Sequence, residues 1–171
     1  DVIAHAMERV TGKKLAELIS EELWQTMGAE DDANITVDSS GYGLSCGGIS
    51  SSLRDFARFG ILHLNDGVLN GKQIIPKDWI EDIRSGNHGL ANESLRTTYP
   101  NGKYRNQFWI EDSSKTTVMC IGVFGQLIYI APEYNMVVVK FSTWPDFLDD
   151  THKLNTLSAI HAIANNYKGK G

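Results

Sequence analysis

Residues 104–142 read YRNQFWIEDSSKTTVMCIGVFGQLIYIAPEYNMVVVKFS. Four runs within it, Tyr104 to Glu111, Thr116 to Ile121, Gln126 to Ile130 and Met136 to Ser142, are rich in β-branched and aromatic residues, and DSSK and APEYN between them carry turn chemistry. Connections this short suit antiparallel neighbours, because a parallel pair needs a crossover of a dozen or more residues. The stretch therefore predicts an antiparallel meander over 104–142.

On its C-terminal side, Leu154, Leu157, Ile160, His161 and Ile163 to Ala164 recur at helical spacing. They predict a closing helix over 151–167 whose apolar side covers the sheet. On its N-terminal side, residues 1–103 read as mainly helical with a Gly-rich loop. Ile3, Met7 and Val10 mark a helix that Thr11-Gly12 stops, and Leu15, Leu18, Ile19 and Leu23 mark a second that Gly28 ends. Residues 28–50 are irregular around a short extended Ile35-Thr36-Val37. Ser50-Ser51-Ser52 then offers an N-cap to a helix over Leu53 to Leu64, with Leu53, Phe56, Ala57, Ile61 and Leu64 on its apolar face and Asp55 in its first turn. DGVLNGKQIIP reads as a turn, an extended piece and a stop, with Pro76 at the first position of a helix through Trp79, Ile80 and Ile83. Helices, then antiparallel strands, then a helix make the fold class α+β within one domain.

The totals exclude whole classes of function. A chain of 171 residues that is 42% hydrophobic can bury a sizeable core. A net charge of -5 without a dense Lys/Arg run excludes a nucleic-acid binder. No apolar run approaches the roughly 18 to 20 residues that a membrane span needs, and DVIAHAMERV lacks the pattern of a signal peptide, so the expectation is a soluble chain. Cys46 and Cys120 permit one bridge at most and have no metal-site spacing; they are expected to be two small buried thiols. The compartment is left open.

Gly43-Leu44-Ser45-Cys46-Gly47 spells G-x-S-x-G, the signature of a nucleophile elbow. That elbow needs a buried strand running into a sharp turn with a helix starting at the serine. Here the serine follows VDSSGYGL and precedes a second glycine pair, so the motif reads as a Gly-rich turn. The order Ser, acid, His is filled formally by Ser45, Asp146 or Asp149, and His152 or His161, as chance allows with this many acids. His5, His63, His88, His152 and His161 are scattered without metal-ligand spacing. Glu81-Asp82 and Asp149-Asp150 read as solvated charge. Tyr104-Arg105-Asn106 copies a Y-x-N element but stands at the start of a predicted strand.

The Gly-Gly turn followed by SSLRDFARFG and LNDGVLNGKQIIPKDWI, preceded by MERVTGKKLAELISEELWQTMGAEDDANITVD and followed by YRNQFWI and GVFGQLIYIAPEYNMVVVKFS, resembles the β-lactamase-like, penicillin-recognising serine hydrolases. The resemblance is nearest to their 6-aminohexanoate-dimer hydrolase and carboxylesterase branch, where Trp24, Gly28-Ala29-Glu30 and Arg54-Asp55 have counterparts. It implies acyl transfer to a Ser-x-x-Lys serine and hydrolysis of a small-molecule amide or ester, with no metal or cofactor. No serine here begins S-x-x-K, and the family's tyrosine element would lie upstream of Asp1. The implication is the C-terminal portion of a longer hydrolase, inactive alone, associating with its missing N-terminal half or with itself.

The resemblance also implies site residues. The family's third motif falls on Val123-Phe124-Gly125 at an edge strand, and Gln126 follows, its backbone N–H a candidate oxyanion donor. Val123 stands where a Lys or His is common in the family, with Phe124 beside it, and the loss of that cation favours neutral or hydrophobic acyl substrates. The residues by themselves read equally as a strand with a Gly bulge. Trp109 and Tyr42 are candidates for the substrate wall or for ordinary core aromatics. Two rivals remain: a non-catalytic module of the same fold, and a small esterase that uses Ser45.

Overall fold

The computed structural model describes residues 1–86 and 98–168. Two units cluster separately, residues 1–59 and residues 60–171.

In the first unit, α1 (Val2–Thr11) stops where Gly12 turns left-handed at φ 73° and its N–H caps the Glu8 carbonyl. Its predicted apolar stripe is present but uncovered: Val2, Ile3, Met7 and Val10 are exposed, and Ala4 is buried. Helix α2 (Leu15–Ile19) starts with the Glu17 carboxylate accepting the Lys14 N–H, buries Leu15 and Leu18, and runs on into a π-helical turn over Ser20–Trp24. Gly28 then turns left-handed at φ 70°. Strands β1 (Asn34–Ile35) and β2 (Ile49–Ser50) pair antiparallel around the loop 36–48.

Helix α3 (Leu53–Leu64) carries the chain from the first unit into the second. Its buried positions are Asp55, Gly60, Leu62 and His63, whereas Leu53 and Ile61 are exposed. The inward face is therefore rotated from the one predicted. A carboxylate can occupy that face because Glu30 N–H, Asp31 N–H, the Ser52 hydroxyl and Arg58 all donate to Asp55.

In the second unit, β3 (Val68–Leu69) and β4 (Lys72–Gln73) form a hairpin across Asn70-Gly71, both at positive φ as a type I′ turn requires. Pro76, predicted as the first helical residue, is the N-cap of α4 (Lys77–Ser85), so the helix starts one residue later. The meander is a five-stranded antiparallel sheet in the order β5 (Lys103–Arg105), β6 (Phe108–Ile110), β7 (Val118–Ile121), β8 (Leu127–Ala131), β9 (Met136–Lys140). The predicted single strand Tyr104 to Glu111 is in fact a hairpin. Asn106 and Gln107 take φ 48° and 70°, a second I′ turn, so Arg105 pairs with Phe108.

Period-2 alternation gives this sheet two used faces. Met119, Tyr129 and Ala131 point toward α5 (Asp150–Lys168) and form one core cluster with Tyr99, Leu157 and Ile160. Leu157, Ile160 and Ala164 are the buried line of α5, narrower than predicted because Leu154 and Ile163 are exposed. Burying Leu157 and Ile160 contributes about 2 kcal/mol each. Glu111 ties the layers, accepting from the Tyr129 hydroxyl at 2.8 Å and meeting His161 Nε2 at 2.9 Å. On the opposite face, a Cβ on Gly60 of α3 would lie 2.5 Å from Val137 Cγ1 and 3.3 Å from Ile128 Cγ2, so a glycine lets the helix approach the sheet.

Candidate functional site: the turn between β7 and β8

The chain leaves β7 at Gly122 and enters β8 at Leu127, with one 3₁₀ turn over Val123–Gly125 between them. The expectation of an edge strand at Val123-Phe124-Gly125 is thus corrected: these residues form a turn between two strands inside the sheet. Phe124 at φ 53° and Gly125 at φ 84° are successive left-handed residues, and a non-glycine in that region costs of order 1 kcal/mol or more. Three peptide N–H groups of the turn are donated within the chain: Gly122 to the Gln126 carbonyl at 2.9 Å, Phe124 to Phe147 at 3.1 Å and Gln126 to Val123 at 3.4 Å. The last is at the outer limit of a hydrogen bond, so a better acceptor would redirect it.

Gly125 is buried, and a Cβ there would collide with the Trp144 ring and with Ser142 Oγ. Gly125→Ala is expected to lower the stability of this unit by about 2 kcal/mol through strain and overpacking. Denaturant unfolding checks it; an unchanged midpoint would show that the turn relaxes freely.

The Phe124 side chain is half-exposed beside the turn and meets Phe147 edge to face, with ring centroids 5.9 Å apart. Val123, Phe147 and Leu148 are also exposed, which gives the turn an apolar surround. Phe124, Gly125 and Gln126 therefore come together. Trp109 stands on β6 opposite Met119, its ring tilted against Tyr104 with centroids 4.6 Å apart, and packs against the α5-side core. Tyr42 belongs to the first unit, where His5 lies against its ring at 4.3 Å and the Lys14 ammonium sits 4.5 Å from the ring centroid.

Sequence reasoning missed the segment that braces the turn. Lys140 at the end of β9, and Ser142 and Trp144 beyond it, reach back to the Phe124 and Gly125 carbonyls. The signal was the polar alternation of Lys140 and Ser142 in a run otherwise read as strand.

The other motifs resolve into local structure. Ser45 is exposed, and both its N–H and hydroxyl donate to Asp1 Oδ1, at 2.9 and 2.8 Å. It lies in a turn that leads to β2, and α3 begins only at Leu53. Gly43 is explained by packing, since a Cβ would lie 2.9 Å from Ile35 Cδ1, and Gly48 by the Leu44 carbonyl at 2.5 Å. Cys46 is exposed, contrary to expectation, because it rides on this loop. Burial pushes the Cys120 thiol up to about 12.

Tyr104-Arg105-Asn106 is the β5–β6 corner. Arg105 grips Asp82 of α4 with two bonds, at 2.9 and 3.0 Å, and Asn106 Nδ2 adds a third at 2.7 Å. Asp82 is therefore an anchor rather than solvated charge. Asp149 is likewise a helix cap: it accepts the His152 N–H at 2.9 Å and faces His152 Nδ1 at 2.6 Å, and these contacts hold its carboxyl below the usual range. His63 is buried against Phe108, and His88 lies outside the described residues. Among the described residues no three His, Cys, Asp or Glu side chains gather as a metal would require.

A family profile described as Beta-lactamase matches residues 1–163. The chain belongs to the beta-lactamase family. Within that family, this chain is 37% identical over 148 residues to the 6-aminohexanoate-dimer hydrolase of Paenarthrobacter ureafaciens, covering 85% of this chain and 38% of the relative. It is also similar to the structure of a Bacillus anthracis protein provisionally described as a 6-aminohexanoate-dimer hydrolase, with a TM-score of 0.83 and 33% identity, over 97% of this chain and 42% of that one. A protein of Bacteroides dorei DSM 17855, provisionally described as a beta-lactamase, shares the fold at a TM-score of 0.66 and 15% identity, over 95% of this chain and 55% of that one. This beta-lactamase-family chain thus spans about two fifths of the length of the 6-aminohexanoate-dimer hydrolases it matches. Among its described residues no helix is long and apolar enough to cross a membrane.

Proposed function

We propose that this chain is the C-terminal part of a serine hydrolase that cleaves a small-molecule amide or ester through an acyl-enzyme, the nucleophile lying in the length of the relatives that this chain does not span. The observation that carries the reading is the 37% identity to a 6-aminohexanoate-dimer hydrolase over 85% of the chain. The serine hydroxyl attacks the substrate carbonyl, a base takes its proton, and the tetrahedral oxyanion needs fixed donors until the amine or alcohol leaves. Water then releases the acid. This chain's contribution is the turn after β7. Its backbone N–H donor is that of Gln126, held by a single 3.4 Å bond; the N–H of Val123, the first residue of the 3₁₀ turn, is the competitor. Phe124 and Gly125 form the adjoining wall, with Trp109 of the same unit as a further wall candidate. The apolar surround of Phe124, Phe147 and Leu148 favours a neutral acyl group over a carboxylate-bearing one.

A fluorophosphonate applied to the full-length protein is expected to label a serine outside residues 1–171, and Ser45→Ala is expected to leave the labelling unchanged. Peptide mapping of the adduct decides. An adduct on Ser45 would make this chain an esterase by itself, and no adduct in a protein that lacks an upstream Ser-x-x-Lys would make it a non-catalytic module.

The exposed stripe of α1 and the open edges of β5 and β9 are surfaces for the rest of the same polypeptide to cover. Residues 1–171 prepared alone are expected to self-associate and to bind a hydrophobic dye, read by light scattering and fluorescence. A clean monomer that ignores the dye would count against this reading.

A further inference from the structure

Strand β9 ends at Lys140, and the chain beyond it turns back over the 122–126 turn rather than leaving it. Ser142 and the Gln126 side chain pair as two strands would: Gln126 Nε2 donates to the Ser142 carbonyl at 2.6 Å, and the Ser142 N–H donates to Gln126 Oε1 at 3.2 Å. Ser142 Oγ lies 2.8 Å from the Gly125 carbonyl and 3.0 Å from that of Phe124, so its one proton serves either. Its own acceptor site is filled by Lys140 Nζ at 2.6 Å, and the same ammonium donates to the Gly125 carbonyl at 3.3 Å. Trp144 completes the clasp, its N–H donating to the Phe124 carbonyl at 3.2 Å and its ring lying 4.6 Å from the ammonium.

Two things follow from ordinary peptide chemistry. The Gly125 carbonyl and the Gln126 N–H belong to one conjugated amide, so a cation and a hydroxyl drawing on that oxygen make the N–H a stronger donor. The ammonium is half-buried, and burial holds its pKa below the usual lysine value. Its contacts among the described residues are carbonyl, hydroxyl and aromatic face, with no carboxylate to quench its field.

We propose that Lys140 is a positioning residue which, with Ser142, aims and polarises the Gly125–Gln126 peptide as an oxyanion donor. This rests on the reading that the turn serves the oxyanion, and the test separates the two. In the full-length protein, with p-nitrophenyl butyrate as the ester, Lys140→Met is expected to lower kcat about tenfold with KM within about twofold, less than the loss of a donor outright. Lys140→Arg, which keeps the charge, is expected to restore most of it. Labelling with carbonyl-¹³C glycine and ¹⁵N glutamine selects amides of glutamines that follow a glycine, of which the 171 residues hold only Gln126, and loss of the signal in Gln126→Ala assigns it. Its proton is expected to move upfield in Lys140→Met and to return in Lys140→Arg. The amide measurement needs no turnover. An unmoved amide overturns the clasp whatever the rate does. An amide that moves while kcat stays constant overturns the role of the turn, and the positioning role with it. Equal losses in the Met and Arg variants that track a lowered Tm reduce Lys140 to a structural residue.

Discussion

Exchanging the N–H of Gln126 for an ester oxygen is expected to lower kcat of the full-length protein on p-nitrophenyl butyrate by about 10²- to 10³-fold, the usual cost of one oxyanion donor. The exchange is accessible by ligation at Cys120, which lies six residues upstream. It removes the proton donor and the 3.4 Å bond to Val123 and leaves every side chain in place, while weakening the Gly125 carbonyl as an acceptor for Lys140 and Ser142. Gln126→Ala is the complementary control. It keeps the N–H, loses the two bonds to Ser142, and is expected to cost no more than about tenfold in kcat, since it acts on the donor only through the clasp. The same ester exchange at Val123 is expected to leave kcat within about tenfold of the parent. If the Val123 exchange were the damaging one and the Gln126 exchange mild, the donor role would pass to Val123. KM should move little in either case, because the interaction strengthens as charge develops on the carbonyl oxygen.

How much of this was legible in the sequence depends on the range of the interaction that decides each feature. The meander and the closing helix follow from period and turn chemistry, and they are present within a residue or two at most ends. The split of Tyr104 to Glu111 was missed because Asn-Gln is a poor advertisement for a I′ turn, which Asn-Gly or Asp-Gly would have announced. The turn placement of Val123–Gly125 was missed for a similar reason, since Phe124 at φ 53° has no local sequence signal. Its conformation is imposed by Phe147, Trp144 and Ser142, some twenty residues away in sequence. Asp82 and Asp149 looked like surface charge because their partners, Arg105 with Asn106 and the His152 ring, are a matter of geometry. The resemblance to known hydrolases was legible because it is spread over nearly the whole chain, whereas each motif by itself is short.

Removing the carboxylate of Asp55 is expected to be the most destabilising single change in the first unit, about 4 kcal/mol for Asp55→Ala and about half that for Asp55→Asn. Asp55 is fully buried and gathers the Glu30 N–H at 2.9 Å, the Asp31 N–H at 3.1 Å, the Ser52 hydroxyl at 2.8 Å and Arg58 Nη1 at 2.9 Å. Alanine leaves two peptide donors and a guanidinium facing an apolar gap, although Arg58 keeps Glu30 as a partner. Asparagine preserves one acceptor oxygen but turns an NH₂ toward donors. Burial by itself pushes the Asp55 carboxyl upward; the Glu30 N–H, the Ser52 hydroxyl, the Asp31 N–H and Arg58 together outweigh it and hold the group below the ordinary aspartate range. A depressed folded value means the stabilisation is fully present above the unfolded value near ~3.9 and is lost as pH falls through the folded value. Wild type and Asp55→Asn should therefore differ most near neutrality and converge in acid. Trp24 reports the event, because its indole N–H donates to the Asp31 carbonyl at 2.9 Å in the same loop. A ¹⁹F-tryptophan resonance assigned by Trp24→Phe follows the first unit apart from Trp79, Trp109 and Trp144. Parallel acid profiles for the two proteins would mean that Asp55 stabilises by shape rather than by charge, and that the loop carrying Glu30 and Asp31 is held by something other than this carboxylate.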